Sequence, residues 1–186
     1  MQAVQNPLKT EKVSKLLRTF AIPSIIAMLV SALYNIVDQV FIGWSIGALG
    51  NAATNVAFPL TTICIAIALM FGIGGASAFN LTMGEGDAKR AAFYVGNAIS
   101  MLVICGVVLC IVAHLFLTPM LRFFGSTQDI LGYARTYTAI TAFGFPFLIL
   151  ATGGGHLIRA DGSPRFTMTC NLVGAIINLI LDPIFI

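Results

Sequence analysis

Apolar positions along this chain gather into five long runs separated by short polar stretches. The runs cover residues 19–44, 52–83, 91–121, 136–158 and 164–186. Each run has the ~20 residues that a helix needs to cross the hydrocarbon core of a bilayer. A backbone in lipid must satisfy its own hydrogen bonds, which favours helices. The pattern therefore predicts an all-α, polytopic membrane helix bundle of about five transmembrane helices.

Composition supports a membrane protein and excludes a soluble one. The chain is 58% hydrophobic and 9% charged, whereas an average soluble domain is about 25% charged. Nucleic-acid binding needs basic residues clustered on an exposed face, and the only such cluster is the short N-terminal arm. We expect the lipid bilayer as a partner and no nucleic acid. The four cysteines lie in apolar runs without a C-x-x-C pair, which predicts packing residues rather than metal ligands or disulfides.

The basic residues predict the orientation in the membrane. Eight of them fall on one predicted side: Lys9, Lys12, Lys15, Arg18, Lys89, Arg90, Arg159 and Arg165. Only Arg122 and Arg135 fall on the other side. Because cytoplasmic loops carry the excess of Lys and Arg, we expect residues 1–18 to form a cytoplasmic N-terminal arm and residues 19–186 the transmembrane helices.

Polar and proline residues predict where the helices begin, bend and end. Asp87 is placed to cap the third span, and Ser163 to cap the fifth. The two loops share the order acid, Gly, capping residue, further residue, base, which hints at a duplicated helical hairpin. Pro59 and Pro146 are predicted to kink their spans. An odd number of spans predicts a truncated chain that is part of a larger transporter.

Two carboxylates lie inside apolar runs, where a charge costs ~2.5–3.5 kcal/mol on insertion scales and usually marks function. Asp38 lies twenty residues beyond Arg18, and Asp182 lies seventeen beyond Arg165. At 1.5 Å per residue, these distances are about 30 and 26 Å. The sequence therefore predicts two acids at similar depth in the outer half of the membrane.

Helical spacing gives each acid polar neighbours. Tyr34 and Asn35 precede Asp38 by four and three residues, and Asn178 precedes Asp182 by four. Burial and a neighbouring like charge both favour a protonated carboxyl, so such a pocket could exchange protons. Alternatively, the oxygens of Asp38, Asp182 and Asn178 could hold Na⁺. In a third interpretation, each Asp only bonds a neighbouring helix.

The sequence gives little support for proton relays through histidine, for enzyme activity or for a bound metal. His114 and His156 are expected to be interfacial or hydrogen-bonded residues rather than proton relays. No Ser/His pair or His-Glu-x-x-His motif appears, so we expect no enzyme activity, no catalytic residues, no resident metal and no cofactor other than a coupling ion.

Several segments together resemble the multidrug and toxic compound extrusion (MATE) family. They are Ile22-Pro23, Tyr34-Asn35-Ile36-Val37-Asp38, Val40-Phe41-Ile42-Gly43, Gly72-Ile73-Gly74-Gly75-Ala76, Gly84-Glu85-Gly86-Asp87, Ile158-Arg159-Ala160-Asp161-Gly162 and Asn178-Leu179-Ile180-Leu181-Asp182-Pro183. Their order and spacing resemble the family across nearly the whole chain.

The resemblance implies twelve helices in two lobes, with this chain supplying helices 1–5 of the N-terminal lobe and lacking the C-terminal lobe as a partner. It implies a secondary active antiporter of a prokaryotic plasma (inner) membrane. Such a protein exports drugs or other cationic or amphipathic compounds in exchange for H⁺ or Na⁺. Alternatives are a lipid or polysaccharide flippase of related architecture and a non-transporting membrane scaffold.

By the same resemblance, the acidic site of the N-terminal lobe falls on Asp38 and Asp182, with Tyr34 and Asn178 beside them. An Asn that some members use in helix 4 would fall near Gly155. Pro23 takes the position of the hinge at which helix 1 is proposed to bend on protonation.

Overall fold

The computed structural model describes residues 13–185, which form helices joined by short turns. The helices are α1 (Val13–Ser45), α2 (Ala48–Gly84), α3 (Ala88–Leu115), α4 (Leu117–Phe123), α5 (Gln128–Ala142), α6 (Phe145–Ala160) and α7 (Pro164–Phe185). Residues 13–18 of the predicted N-terminal arm belong to α1, and residues 1–12 of that arm lie outside the described part of the chain.

The long helices have the length and composition of membrane spans. Among the described residues, four helices pass on these two criteria, and α5 with α6 makes a fifth if the bent pair counts as one span. Large apolar side chains stay exposed along them, such as Phe58, Met70 and Phe93. The predicted all-α membrane bundle of about five spans is confirmed.

The third span is shorter than predicted. The prediction of a single helix over residues 91–121 was wrong, because α3 ends at Leu115 and the short α4 begins at Leu117. Pro119 explains the break. A proline ring clashes with the carbonyl four residues earlier, and that carbonyl belongs to Leu115, the last residue of α3.

The fourth span is two helices rather than one over residues 136–158. It begins at Gln128, and α5 and α6 meet at residues 143–144 with a bend of 56°. Pro146 lies in the first turn of α6, and the residue four before it, Ala142, is the last of α5. The predicted bend near Pro146 is confirmed as a full break. Pro59, in contrast, lies inside the unbroken α2.

The chain divides into two compact units. The terminal unit comprises Met1–Asp38 and Ser163–Ile186, and its described part is α1 as far as Asp38 together with α7. The central unit comprises Gln39–Gly162 and contains the end of α1 and helices α2 to α6. The predicted site residues Tyr34, Asn35, Asp38, Asn178 and Asp182 all belong to the terminal unit.

The core of the central unit lies where α2 packs against α3 and α6. Its fully buried side chains include Leu60, Cys64, Leu102 and Ile149. A second cluster joins α2 to α4 and α5 through Ala53, Leu117, Leu121 and Ala134.

Glycines bring the backbones of the central helices into contact. A Cβ built on Gly72 of α2 would lie 2.7 Å from the Cα and carbonyl oxygen of Gly153 in α6. A Cβ on Gly75 would lie 2.5 Å from the Cβ of Ala98, and one on Gly106 would lie 2.7 Å from the Cα of Pro146. We call these contacts the glycine seam. Small residues allow such approach in membrane helices, whose packing relies on van der Waals contact.

The two loops that share a sequence pattern also share a turn conformation. Gly86 and Gly162 have φ values of 86° and 85°, a left-handed conformation that favours glycine. The carboxylate of Asp87 accepts a hydrogen bond of 2.9 Å from the backbone N–H of Arg90. The predicted cap of the third span is thereby confirmed.

Candidate ion-coupling site

Helix α1 supplies the first half of the candidate site. Tyr34 and Asp38 are half-buried, whereas Asn35 is exposed. The side-chain amide of Asn35 donates a hydrogen bond of 2.8 Å to the carbonyl oxygen of Ser31. This amide is thus committed to its own helix, and Tyr34 is the neighbour better placed to act with Asp38. The Asp38 carboxylate is not free, since it takes part in an interaction with its surroundings.

Helix α7 supplies the second half. Asn178 is half-buried, and its Oδ1 atom is buried without a hydrogen-bond partner in the described part of the chain. Burying a hydrogen-bond acceptor without a partner costs free energy unless a donor or a cation reaches it. Asp182 lies in α7, one turn after Asn178, but its side chain is outside the described residues.

The N-terminal ends of α1 and α7 lie close together in the terminal unit. Arg18 of α1 and Arg165 of α7 line one crevice at these ends, and both helices continue without interruption to the acids. Helical rise then puts Asp38 about 30 Å and Asp182 about 26 Å from these arginines. The similar depth of the two acids stays a prediction.

Pro23 is buried inside the continuous α1. A proline within a helix removes one backbone hydrogen bond and weakens the helix at that point. The hinge role of Pro23 stays a prediction.

The position near which some family members carry an Asn is glycine here. Gly155 is buried, and its carbonyl oxygen accepts a hydrogen bond of 3.1 Å from Nε of Arg159. This part of α6 therefore offers no carboxamide oxygen to an ion. Asp38 and Asn178 are the ion-binding candidates whose side chains are described, and no group of three or more His, Cys, Asp or Glu side chains converges among the residues searched.

His114 joins two helices of the central unit. Its Nδ1 lies 2.8 Å from the carbonyl oxygen of Cys110 in α3, and its Nε2 lies 3.1 Å from that of Ala139 in α5. The ring also packs against Phe143, at 4.3 Å between centroids. This geometry matches the expected hydrogen-bonded role.

The basic crevice at the start of α1 and α7 was not predicted from the sequence. Lys15, Arg18 and Arg165 were used only as markers of orientation, yet the structure brings all three to one cavity. The signal was present, because Arg18 and Arg165 both stand at the same end of an apolar run.

The MatE family model matches residues 23–184. The chain belongs to the MatE family. Over its whole length it superimposes on the MATE multidrug transporter DinF-BH, solved in complex with a ligand, with a TM-score of 0.91 and 36% sequence identity. The predicted resemblance is therefore confirmed.

Curated MatE relatives include transporters from two bacteria. The FAD transporter of Shewanella oneidensis is 27% identical over 96% of this chain and 39% of the relative. The probable multidrug resistance protein YoeA of Bacillus subtilis is 24% identical over 100% of this chain and 41% of the relative. The chain also covers 41% of DinF-BH. It thus spans about two fifths of the length of each.

Proposed function

We propose that this chain is the N-terminal part of a secondary active antiporter that exports cationic or amphipathic compounds in exchange for H⁺ or Na⁺. The observation that carries the proposal is the buried Oδ1 of Asn178, which has no hydrogen-bond partner among the described residues and belongs to the same compact unit as Asp38. Membership of a transporter family supports it.

The polar groups of the terminal unit are suited to coupling the movement of a cation to export. A half-buried carboxylate can take up a proton, and a carboxylate with carboxamide oxygens can hold Na⁺. In either case the cation neutralises Asp38 and changes the cost of keeping it within the membrane. We propose that Asp182, one turn from Asn178, contributes the second carboxylate and that Pro23 allows α1 to bend in response.

The cargo is proposed from the relatives. YoeA is named as a probable multidrug resistance protein and DinF-BH as a multidrug transporter, which favours amphipathic drugs. The Shewanella relative is named as an FAD transporter, so a flavin nucleotide is the second candidate. We further propose a prokaryotic plasma membrane, a cytoplasmic N-terminus and a C-terminal lobe as partner.

The test uses the protein expressed from its whole gene and reconstituted into liposomes. Uptake of a fluorescent cationic dye or of FAD is measured under an imposed pH gradient and, separately, under an imposed Na⁺ gradient. We expect Asp38→Asn to abolish gradient-driven transport, because it removes the charge with little change in volume. The matched control is Asp129→Asn, which makes the same change at an exposed acid in the first turn of α5.

Different outcomes separate the candidates. Transport by Asp38→Asn at the wild-type rate would reject the coupling role of this residue. Absence of transport under both gradients, with every cargo tried, would favour the scaffold. If Na⁺ is the coupling ion, Asn178→Ala should raise the Na⁺ concentration needed for half-maximal transport, whereas a proton-coupled protein should retain its dependence on pH.

A further inference from the structure

A crevice of about 510 Å³ opens between the N-terminal ends of α1 and α7, within the terminal unit. It lies at the opposite end of these helices from Asp38 and Asp182, so it is separate from the candidate ion-coupling site. Its lining residues are Ser14, Lys15, Arg18, Ile22, Pro23, Ile26, Arg165 and Met168.

The mouth of the crevice is cationic. Lys15 and Arg18 are three residues apart on α1, and Arg165 is the second residue of α7. All three are exposed, and no acidic side chain is among the lining residues that the structure describes. Guanidinium groups bind phosphate through paired, charge-assisted hydrogen bonds. Two arginines and a lysine around one opening therefore favour a phosphate-bearing anion.

Apart from Ser14, the rest of the crevice is apolar. Ile22, Pro23 and Ile26 of α1 and Met168 of α7 line it beyond the basic residues. A free phosphate ion would gain nothing from such a surface, whereas an acyl chain would bury apolar area against it. The combination matches a molecule with an anionic head and a hydrocarbon tail.

The level of the basic residues also matches a lipid headgroup. Arg18 precedes the candidate membrane-spanning segment Ala21–Ser45 of α1 by three residues, and Arg165 is the second residue of the candidate segment Pro164–Leu181 of α7. Basic pockets between spanning helices on the cytoplasmic side bind the headgroups of acidic lipids. We infer that this crevice binds an acidic phospholipid, with its phosphate at Arg18 and Arg165 and an acyl chain along Ile22, Ile26 and Met168.

The test measures lipid retention by the whole protein, purified in detergent and titrated with phosphatidylglycerol or phosphatidylcholine under native mass spectrometry. Each basic residue near a membrane contributes about 1 kcal/mol to the binding of acidic lipid, roughly a fivefold change in affinity. We therefore expect Arg18→Gln with Arg165→Gln to weaken phosphatidylglycerol binding by about 25-fold and to leave phosphatidylcholine binding nearly unchanged.

The matched control removes the same charge elsewhere on the predicted cytoplasmic side. Lys89 and Arg90 are both exposed in the first turn of α3, and Lys89→Gln with Arg90→Gln should retain wild-type phosphatidylglycerol affinity. Arg18→Lys with Arg165→Lys keeps the charge and should retain most of the binding. This variant also provides a test if the glutamine variant fails to fold.

Three results would overturn the inference. The first is unchanged phosphatidylglycerol affinity in the glutamine variant or, if that variant does not fold, equal affinity for both lipids in the lysine variant. Either would show that the crevice does not select acidic lipid. The second is an equal loss in the Lys89 and Arg90 control, which would indicate general surface charge. The third is displacement of the lipid by inorganic phosphate, which would indicate a simple anion site.

Discussion

Replacing Gly72 with alanine tests the glycine seam at one of its two tightest backbone contacts. The new Cβ would lie 2.7 Å from both the Cα and the carbonyl oxygen of Gly153. Carbon atoms in contact prefer separations of about 3.5–4.0 Å, so α2 and α6 must move apart by roughly 1 Å. The obstacle is backbone, which cannot rotate away as a side chain can. Inserting a methyl group into a packed interior of this kind costs about 1–3 kcal/mol.

Gly74 offers a matched control two residues away on the same helix. A Cβ at Gly74 meets no atom within 4 Å. Both substitutions gain the same helix propensity, up to about 1 kcal/mol for alanine over glycine. This gain cancels in the comparison, so the difference between the two variants isolates the packing cost of about 1–3 kcal/mol.

The assay is the free energy of unfolding of the whole protein in mixed micelles, titrated with a denaturing detergent. We expect Gly72→Ala to be less stable than Gly74→Ala, with Gly74→Ala equal to or above wild type. Equal stability of the two alanine variants would refute the close approach of α2 and α6. Gly153→Ala and Gly154→Ala form a second pair, because a Cβ on Gly153 lies 2.5 Å from a methyl carbon of the fully buried Leu102 and one on Gly154 meets nothing.

Three further predictions concern the caps, the helix contacts and the orientation. Asp87→Ala should lower the free energy of unfolding by about 1 kcal/mol, because α3 loses its capping carboxylate, whereas Asp87→Asn should retain most of it. His114→Phe should cost about 1–3 kcal/mol in the same assay, because it removes the ring nitrogen that lies 3.1 Å from the carbonyl oxygen of the half-buried Ala139. An unchanged stability would show that this contact does not hold α3 to α5. In a background without native cysteines, a membrane-impermeant thiol reagent should label Ser45→Cys but not Lys89→Cys in intact cells, and the reverse pattern would invert the proposed orientation.

The sequence predicted the spans well where the apolar pattern is regular. The predicted 52–83 and 164–186 agree with α2 and α7 within four residues. A left-handed glycine follows the first run at Gly86 and precedes the second at Gly162. The start of α5 was missed by eight residues. Its first turns carry Gln128, Asp129 and Arg135, so they do not resemble an apolar run although they are helical.

The prolines show what the sequence alone could not decide. Pro119 and Pro146 each break a helix four residues before the ring, whereas Pro23 and Pro59 lie inside continuous helices. All four present the same local clash. The difference depends on how the flanking segments pack, as α6 does when its Pro146 lies against Gly106, and packing of this kind is not visible in a hydropathy pattern.

In the candidate site too, some features could be predicted from the sequence and others depend on the fold. Local spacing on one helix was enough to predict Tyr34 as a neighbour of Asp38, because residues four apart share a helix face. The basic crevice joins residues that are more than a hundred positions apart, and only the fold brings Arg18 to Arg165. Contacts between residues so far apart in the sequence could not be inferred from helical spacing.

The glycine seam has a consequence for electrical insulation. Where Gly72 contacts Gly153 and Gly75 contacts Ala98, backbone meets backbone or methyl group with no room for a water molecule. Protons and hydrated ions need a chain of waters or polar groups to cross a membrane, and a close-packed interior supplies neither. The bundle of α2, α3 and α6 thus forms a dry partition. Neither a water molecule nor a hydrated ion therefore fits between the helices at these contacts.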